Sequence, residues 1–272
     1  MSVPKVTIVM PVYNGERFIT DALSSIERQD YKNYEVFISN NCSTDRTYEI
    51  ATEFAKRIPM KIVSHPSFKT MIENFDYAFS QVSTEFFLFL CYDDYLNAPN
   101  ALSRAVSILE KDSNISSVYC DLDYVNSKGV RLLRRKFGRA GLFTGDELGR
   151  ASIYAARNMF GIPLMARTTA LQRYRSDSRF TYVADVDFSW QLAQSGPIYH
   201  IEEALFANRF GDHNSTWPVL SQAAKQFKLL ADKYHVELTK SQIFFLAVKA
   251  WLLTQEKRLF GYYAQCRSVF DR

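Results

Sequence analysis

Polar and apolar residues alternate in short blocks over the first 111 residues of the chain. Four apolar runs predict strands, at 6–10, 34–39, 61–64 and 86–90. The run FFLFL at 86–90 is apolar throughout, which is typical of a strand that is buried on both faces of a parallel sheet. Three segments between these runs predict helices, at 18–28, 48–57 and 71–82. This alternation predicts an α/β fold with a mostly parallel central sheet and helices on both faces.

The pattern changes after residue 114. Shorter strands are predicted around 118–124 and 198–201, a basic stretch occupies 131–139, and a helix is predicted over 185–195. The last segment, 217–272, has a helical pattern throughout. We therefore expect one domain over 1–215, with halves that meet near residue 111, followed by a C-terminal helical appendage over 216–272.

Composition and charge exclude few functions. The net charge of +4 is too small to indicate a nucleic-acid partner, and we expect none. The four cysteines are far apart and form no C-x-x-C pair, so neither a zinc site nor a disulfide framework is predicted. The N-terminus lacks the pattern of a signal peptide, and the apolar run at 243–248 is too short to span a bilayer, so a cytoplasmic location is expected. The many Phe and Tyr residues suggest a ring-lined pocket or an interface, which could be that of a homo-oligomer.

Polar motifs follow three of the predicted strands. The segment PVYNG at 11–15 follows the first strand, Asn40 and Asn41 follow the second, and Asp93 and Asp94 follow the fourth. Ligands of open α/β sheets bind beyond the carboxyl ends of the strands. If these strands are parallel, the three motifs therefore form one site.

Asp93 and Asp94 predict a metal site. Two adjacent carboxylates after an apolar strand repel one another unless a cation or hydrogen-bond donors neutralise them. Mg²⁺ or Mn²⁺ binds one or two carboxylates together with phosphate oxygens, which suits a nucleoside diphosphate whose leaving-group charge must be stabilised. The alternative is that the pair caps a helix that begins near residue 99.

Asp185 and Asp187 lie in the segment VADVDFSW. If Asp185 opens the following helix, one carboxylate can face the cleft and accept the proton of an acceptor hydroxyl as a general base. The alternative is that Asp185 only caps the helix and that Asp187 is solvated.

Three segments together resemble one known family. PVYNGERFITDALSSIERQDYKNYEVFISNNCSTDRTYEI resembles the N-terminal pattern of family 2 glycosyltransferases, which have the GT-A fold. FFLFLCYDDYLNAP is similar to the DXD-type metal motif of that family, and VADVDFSWQLAQSG to its acceptor-side motif. The resemblance covers about residues 5–215, with the motifs in the family's order, and is to the enzymes that build bacterial surface polysaccharides.

The resemblance implies a role for each matched residue. It makes 1–111 the nucleotide-binding half and 112–215 the acceptor-side half. Asp94 would bind the metal, Asp93 the ribose or the metal, and Asp185 would be the catalytic base of an inverting transferase. The nucleoside pocket would be lined by Pro11, Tyr13 and Asn14.

Two positions depart from the family pattern. Asn40 and Asn41 stand where the family usually has an Asp that contacts the base, and an amide can still pair with uracil because it offers both a donor and an acceptor. Ala184 replaces the usual Glu before the catalytic Asp. Arg209 and His213 resemble the family's R-x-H element, with altered spacing, and by this resemblance both could reach the diphosphate as cationic clamps. The alternative is that His213 has a structural role.

The resemblance implies an inverting transferase that moves a sugar from a nucleotide-diphosphate donor, with a UDP-sugar expected, to a hydroxyl of a glycan or polyprenol-linked acceptor, as in surface polysaccharide or lipopolysaccharide synthesis. The basic and aromatic residues of 222–272 could bring the enzyme to the inner face of an anionic membrane, or the same helices could pack on the core or on a second subunit. Two other functions stay open. These are a catalytically silent nucleotide-sugar or glycan-binding protein, and a sugar nucleotidyltransferase, although PVYNGERF is a poor phosphate loop for the latter.

Overall fold

The structure is a computed structural model, and it describes residues 3–210 and 222–270. Within these residues, one mixed sheet forms the centre of the fold. Its strands are β1 (Val6–Val12), β2 (Tyr34–Asn40), β3 (Met60–Ser64), β4 (Phe86–Phe89), β5 (Tyr95–Leu96), β6 (Ser117–Val125), β7 (Arg131–Arg135), β8 (Gly141–Phe143), β9 (Pro163–Arg167) and β10 (Ile198–Arg209).

Helices cover the sheet and form the C-terminal end of the chain. Those of the first half are α1 (Ile19–Glu27), α2 (Thr47–Phe54), α3 (Met71–Ser80) and α4 (Ala101–Lys111). Those that follow are α5 (Gly145–Ala155), α6 (Thr168–Leu171), α7 (Ala184–Ala193), α8 (Ala223–Lys233) and α9 (Lys240–Phe270).

The first half of the sheet is parallel, as the apolar pattern predicts. Its strand order is β3-β2-β1-β4, and every neighbouring pair in this part is parallel. Val12 at the end of β1 lies opposite Asn40 at the end of β2. Alternate residues of β1 face opposite sides, because Ile8 packs with α1 and α4 whereas Val9 packs with α3. The predicted helices on both faces are therefore present, and the three motif-bearing strands end at one edge.

The second half joins the sheet through an antiparallel strand that the sequence did not predict. β9 lies between β4 and β6 and is antiparallel to both, whereas β6 and β10 are parallel. β10 was predicted to end at residue 201, but it continues to Arg209 through register shifts on either side of Ala204. The exposed residues Glu202 and Glu203 interrupt the apolar run at this bulge, which hid the rest of the strand.

The C-terminal helices share a hydrophobic core with the second half of the sheet domain. Phe227 of α8 and Leu246 of α9 belong to the same buried cluster as Ile153 of α5 and Trp190 of α7. A domain boundary at residues 215 and 216 stays a prediction, but α8 and α9 do not stand apart from α5 and α7. Within the described part of the chain, no helix is long and apolar enough to cross a membrane.

Candidate functional site

The turns that follow β1 and β2 are hydrogen-bonded to each other. Asn14 has a left-handed backbone with a φ of 48°. Its N–H donates to Ser43 Oγ at 3.0 Å, and its Oδ1 accepts the N–H of Thr44 at 2.9 Å. The Asn41 N–H donates to the carbonyl of Val12 at 2.8 Å. The predicted nucleoside-binding segment is therefore held by the neighbouring turn.

Gly15 brings the turn after β4 into the same place. A Cβ at this position would lie 2.7 Å from Val12 Cγ2 and 2.8 Å from the ring of Tyr92, distances that only glycine permits. The Gly15 N–H donates to Thr47 Oγ1 at 2.7 Å, which fixes the backbone there. Since Tyr92 precedes Asp93 and Asp94, the motifs after β1 and β4 meet, as predicted.

The side chains of Asn40 and Asn41 are both buried and both hydrogen-bonded within the protein. Asn41 donates to the carbonyl of Lys69 and accepts its N–H, both at 2.9 Å. Asn40 donates to Ser64 Oγ at 3.0 Å and accepts the Ser43 N–H at 3.3 Å. These amides therefore tie the end of β2 to the end of β3 and to the segment before α3, and their contact with a base stays a prediction.

Tyr13 presents an exposed aromatic surface in the turn after β1. Its ring packs edge-to-face against Phe68 with centroids 5.0 Å apart, and both rings are largely exposed to solvent. Pro11 is buried within β1, so it shapes the strand end and is not an exposed contact surface. A flat base could stack on Tyr13 or Phe68.

Asp94 is a buried carboxylate that three hydrogen bonds hold in place. Both of its oxygens accept from Asn208 Nδ2 at 3.1 Å, and Oδ1 accepts the backbone N–H of Arg209 at 2.9 Å. Burial, followed by the negative charge of Asp93, raises the pKa of Asp94 well above its ordinary value, although the Arg209 N–H and Asn208 oppose this shift. The carboxylate therefore lies where a bound cation would stabilise its charge.

The residues at the end of β4 fit a hard divalent cation. The Cys91 sulfur and one carboxylate oxygen from each of Asp93 and Asp94 all lie within 4.8 Å of one another. Burial, and then the charges of Asp94 and Asp93, raise the pKa of the Cys91 thiol well above its ordinary value, which disfavours the thiolate. Two carboxylates with space for phosphate oxygens are the ligand set that Mg²⁺ and Mn²⁺ prefer.

Arg209 does not have the geometry of a cationic clamp. Its side chain is fully buried, and its guanidinium donates to the carbonyl of Asp93 at 2.9 Å and to Asp21 Oδ2 at 2.7 Å. It also donates to the carbonyl of Ser127 at 2.9 Å. Arg209 therefore supports the Asp93 turn from the interior. His213 lies outside the described residues.

Asp185 is an exposed carboxylate in the first turn of α7. Its Oδ2 accepts from Asn158 Nδ2 at 2.7 Å, and its Oδ1 accepts the Val186 N–H at 2.9 Å. Asn158 is itself fixed, because its Oδ1 accepts the N–H of Gly161 at 3.0 Å. Asn158 thus supplies the polar contact that Ala184 cannot make.

Asp187 is buried and ion-paired, so its interpretation as a solvated residue is wrong. Its carboxylate accepts from Lys233 Nζ at 2.7 and 2.9 Å, from Tyr234 Oη at 2.8 Å and from Gln191 Nε2 at 2.8 Å. Burial, and then the charge of Asp187, raise the pKa of the Tyr234 phenol. Asp187 lies two residues after Asp185, and these contacts join this part of α7 to the end of α8.

The helix that carries Asp185 is packed tightly on two sides. Trp190 of α7 stacks on Tyr234 with ring centroids 3.9 Å apart. Its other neighbour is Gly149 of α5, where a Cβ would lie 2.3 Å from the indole. All residues of α7 from Val186 to Ala193 are buried, so Asp185 projects from a fixed helix.

A cleft of about 360 Å³ lies at the start of α7. Asp185 lines this cleft together with Asn208, whose amide donates to both oxygens of Asp94. The rest of its wall mixes aromatic, basic and apolar side chains, including Tyr124, Arg135, Tyr182, Phe210 and Leu253. Rings of this kind suit the apolar faces of a sugar, and the polar groups suit its hydroxyls.

Comparison with known proteins identifies the family of this chain. The family model of glycosyl transferase family 2 matches residues 7–181, which is more than half of the chain. The chain belongs to this family. It is therefore a glycosyltransferase, and the resemblance on which the sequence analysis relied is confirmed.

Relatives and solved structures agree with the assignment. An uncharacterized glycosyltransferase of Rickettsia typhi is 25% identical over 243 residues, which are 88% of this chain and 74% of the relative. A crystal structure of Staphylococcus aureus TarS in complex with UDP-GlcNAc matches 91% of this chain and 71% of its own, with a TM-score of 0.67 and 20% identity. The mannosyltransferase PcManGT of Pyrobaculum calidifontis, in complex with GDP-Man and Mn²⁺, matches 99% of this chain and 76% of its own, with a TM-score of 0.62 and 15% identity. The predicted GT-A fold is confirmed.

Two residues of the glycosyltransferase site were missed by sequence analysis. Asn158 contacts Asp185 across 27 positions, and Asn208 contacts Asp94 across 114 positions. Asn158 lies three residues before Gly161, which has a positive φ, so an Asn-x-x-Gly turn could have been recognised. Nothing in the sequence around Asn208 points to Asp94, because the pairing follows from the bulge in β10.

Proposed function

We propose that this glycosyltransferase transfers a sugar from a nucleotide-diphosphate donor to a hydroxyl of a glycan or lipid-linked acceptor, with inversion at the anomeric carbon. One observation carries the proposal. The cleft that Asp185 lines is also lined by Asn208, which holds the buried carboxylate of Asp94. The carboxylate of the proposed base and the amide that orients Asp94 thus line one cavity.

Asp185 acts as the base in this proposal. Its carboxylate takes the proton of the acceptor hydroxyl while the hydroxyl oxygen forms a bond to the anomeric carbon. The bond between that carbon and the diphosphate oxygen breaks, and its electron pair leaves with the nucleoside diphosphate. Asn158 keeps Asp185 oriented for this step, and the fixed helix α7 keeps it at a constant distance from the donor.

Asp94 and Asp93 would hold Mg²⁺ or Mn²⁺. When bound, the cation would stabilise the charge that develops on the departing diphosphate. The carboxylate pair supports this assignment, and Mn²⁺ in the PcManGT structure is consistent with it. Asp93 could contact the ribose instead.

We propose a UDP-sugar as the donor. The exposed rings of Tyr13 and Phe68 offer stacking surfaces at the strand ends, with Asn14 beside them. TarS structures contain UDP or UDP-GlcNAc, whereas PcManGT contains GDP-Man, so the two neighbours differ in base. We place the reaction in the synthesis of a bacterial surface polysaccharide or lipopolysaccharide on the cytoplasmic side of the membrane.

Release of nucleoside diphosphate tests the proposal most directly. The purified chain is incubated with a panel of UDP- and GDP-sugars with Mn²⁺, with Mg²⁺ or with a chelator, and free UDP or GDP is measured. We expect release with one donor, loss of release with the chelator, and a fall of about 10³-fold in Asp94→Asn, because one charge-stabilising group is removed.

Asp146→Asn is the matched control, since Asp146 is an exposed carboxylate that pairs with Arg150. It should keep the rate of the unchanged chain. If no donor is turned over with either metal while nucleotide sugars still raise the unfolding temperature, the chain is a binding protein and the catalytic proposal is wrong.

A further inference from the structure

Helix α9 exposes a continuous set of large apolar side chains. Phe244, Phe245, Trp251 and Leu259 are 64%, 59%, 61% and 69% exposed. Val248 and Leu252 are exposed as well, and we refer to these six residues as the outer face of α9. Single exposed apolar residues are ordinary on protein surfaces, but a cluster of aromatic and aliphatic side chains on one helix marks an interaction surface.

The periodicity of α9 separates the outer face from the side that packs on the protein. Leu246, Ala250 and Thr254 are buried and repeat every four residues. At roughly 100° per residue, the outer face lies on the opposite side of the helix from these three positions. One side of α9 is therefore used by the protein core, and the other is left in solvent.

Cationic residues border the outer face. Lys240 and Arg258 fall at one border of the apolar stripe at helical spacing, and Lys249 falls at the other. All three side chains are exposed, and Lys249 also donates to the carbonyl of Tyr154 at 2.7 Å. The acidic residue near this second border, Glu256, pairs with Arg157. Exposed Phe, Trp and Leu side chains with Lys and Arg at their borders are the combination by which a helix binds at a membrane surface.

The same helix contributes to the cleft of the catalytic base. Leu253 and Glu256 of α9 line the cavity that contains Asp185. A surface that bound the outer face of α9 would thus contact a helix that forms part of the wall of this cleft.

We propose that the outer face of α9 binds the surface of an anionic lipid bilayer. The aromatic and aliphatic side chains enter the boundary between headgroups and acyl chains, and the bordering cations lie against lipid phosphates. A second copy of this chain would bring an equally cationic border, which does not complement Lys240, Lys249 and Arg258. The binding itself does not depend on catalysis, whereas its use, the capture of a lipid-linked acceptor beside Asp185, rests on the proposed function.

Co-sedimentation with vesicles tests the proposal on the full chain. Vesicles of phosphatidylcholine alone are compared with vesicles in which about one third of the lipid is phosphatidylglycerol. We expect binding to the anionic vesicles that weakens with added salt, and at least a tenfold loss in Phe244→Ser/Trp251→Ser. Lys240→Gln/Arg258→Gln should weaken binding to anionic vesicles in the same direction but by less.

Tyr48→Ser is the control, because Tyr48 is an aromatic residue 52% exposed on α2, in the other half of the molecule. It should bind vesicles as the unchanged chain does. Absence of vesicle binding, or equal binding by Phe244→Ser/Trp251→Ser, would overturn the proposal. So would a dimer in solution that this double variant dissociates, since the outer face would then be occupied by a second copy.

Release of nucleoside diphosphate without vesicles separates this proposal from the proposed function. Phe244 and Trp251 do not line the cleft, so their variants should keep that release. Release by the unchanged chain together with no vesicle binding by that chain refutes membrane docking alone. Vesicle binding without release from any donor refutes the catalytic proposal alone.

Discussion

The proposed donor side and the proposed acceptor side of this glycosyltransferase are built in different ways. On the donor side, consecutive turns at one sheet edge hold one another through short hydrogen bonds, such as those between Asn14 and the 43–44 segment. On the acceptor side, Asp185 depends on Asn158, on the packing of α7 and on helices near the C-terminus. Substitutions far along the chain should therefore disturb Asp185 more than they disturb the turns that carry Asn14 and Asn41.

Asp185→Asn should have the largest effect of the substitutions that separate the two sides. We expect the transfer rate to fall about 10³-fold because the base is lost, while donor affinity stays within about twofold because Asp94 is untouched. Product formation and nucleotide-sugar titration measure the two quantities. If affinity and turnover fell equally, Asp185 would be part of the donor site and the comparison would fail.

Lys233→Met tests whether the C-terminal helices hold the acceptor side. It leaves the buried carboxylate of Asp187 without its cation, which should lower the free energy of unfolding by about 3–5 kcal/mol. Chemical denaturation measures this loss. Lys228→Met, at an exposed position of the same helix, should cost little.

A second measurement distinguishes positioning from general stability. At a temperature where Lys233→Met is fully folded, we expect transfer to fall more than donor binding, since α7 carries Asp185. Adding Asp187→Asn should restore part of the stability because the unpaired charge is gone. Unchanged transfer in the folded variant would show that α7 does not need this anchor.

Asn158→Ala sharpens the assignment of the contact that orients Asp185. Removal of one hydrogen bond to a charged group costs about 1.5–3 kcal/mol, so transfer should fall roughly tenfold or more. Asn114→Ala, at an exposed asparagine in the turn before β6, serves as the control in the same assay. A rate equal to that of the unchanged chain would mean that Val186 alone orients the carboxylate.

Asp45→Asn should give the smallest effect, and it concerns the donor side. Burial would raise the pKa of Asp45, but hydrogen bonds from Thr47 and from the Glu16 N–H outweigh it and hold the pKa below its ordinary value of 3.8. This carboxylate therefore contributes stability above pH 3.8 that is lost as the pH falls through the lower folded-state pKa. The variant should flatten the acid end of the stability profile in thermal melts, and Asp232→Asn should not.

The difference between the two sides also explains what the sequence predicts. The end of each of β1, β2 and β4 is visible in the apolar pattern, and parallel pairing brings the three ends together, so Asn14, Asn41 and Asp94 were placed correctly at one edge. This inference needs only strand positions and the general rule for ligand binding at parallel sheets.

The acceptor side is set by contacts that leave no local pattern. The orientation of Asp185 depends on Asn158, which lies 27 positions earlier in the chain, and the burial of Asp187 depends on Lys233, 46 positions later. β9 is antiparallel to β4, so it lies outside the alternation of strands and helices from which the parallel strands were predicted. From the sequence alone, a charged residue is interpreted as solvated or functional unless its partner is known. Here the partners lie in distant elements of the chain.

The close contact between Trp190, Gly149 and Tyr234 has a consequence for protein engineering. Exchange of the C-terminal helices between family members, cut near residue 215, would separate Trp190 from the surface it stacks on. The smallest exchangeable unit therefore begins before α5 and continues at least through the buried part of α9. A chimera made with that larger segment keeps Gly149 and Tyr234 against the indole, so the helix that carries Asp185 keeps its packing.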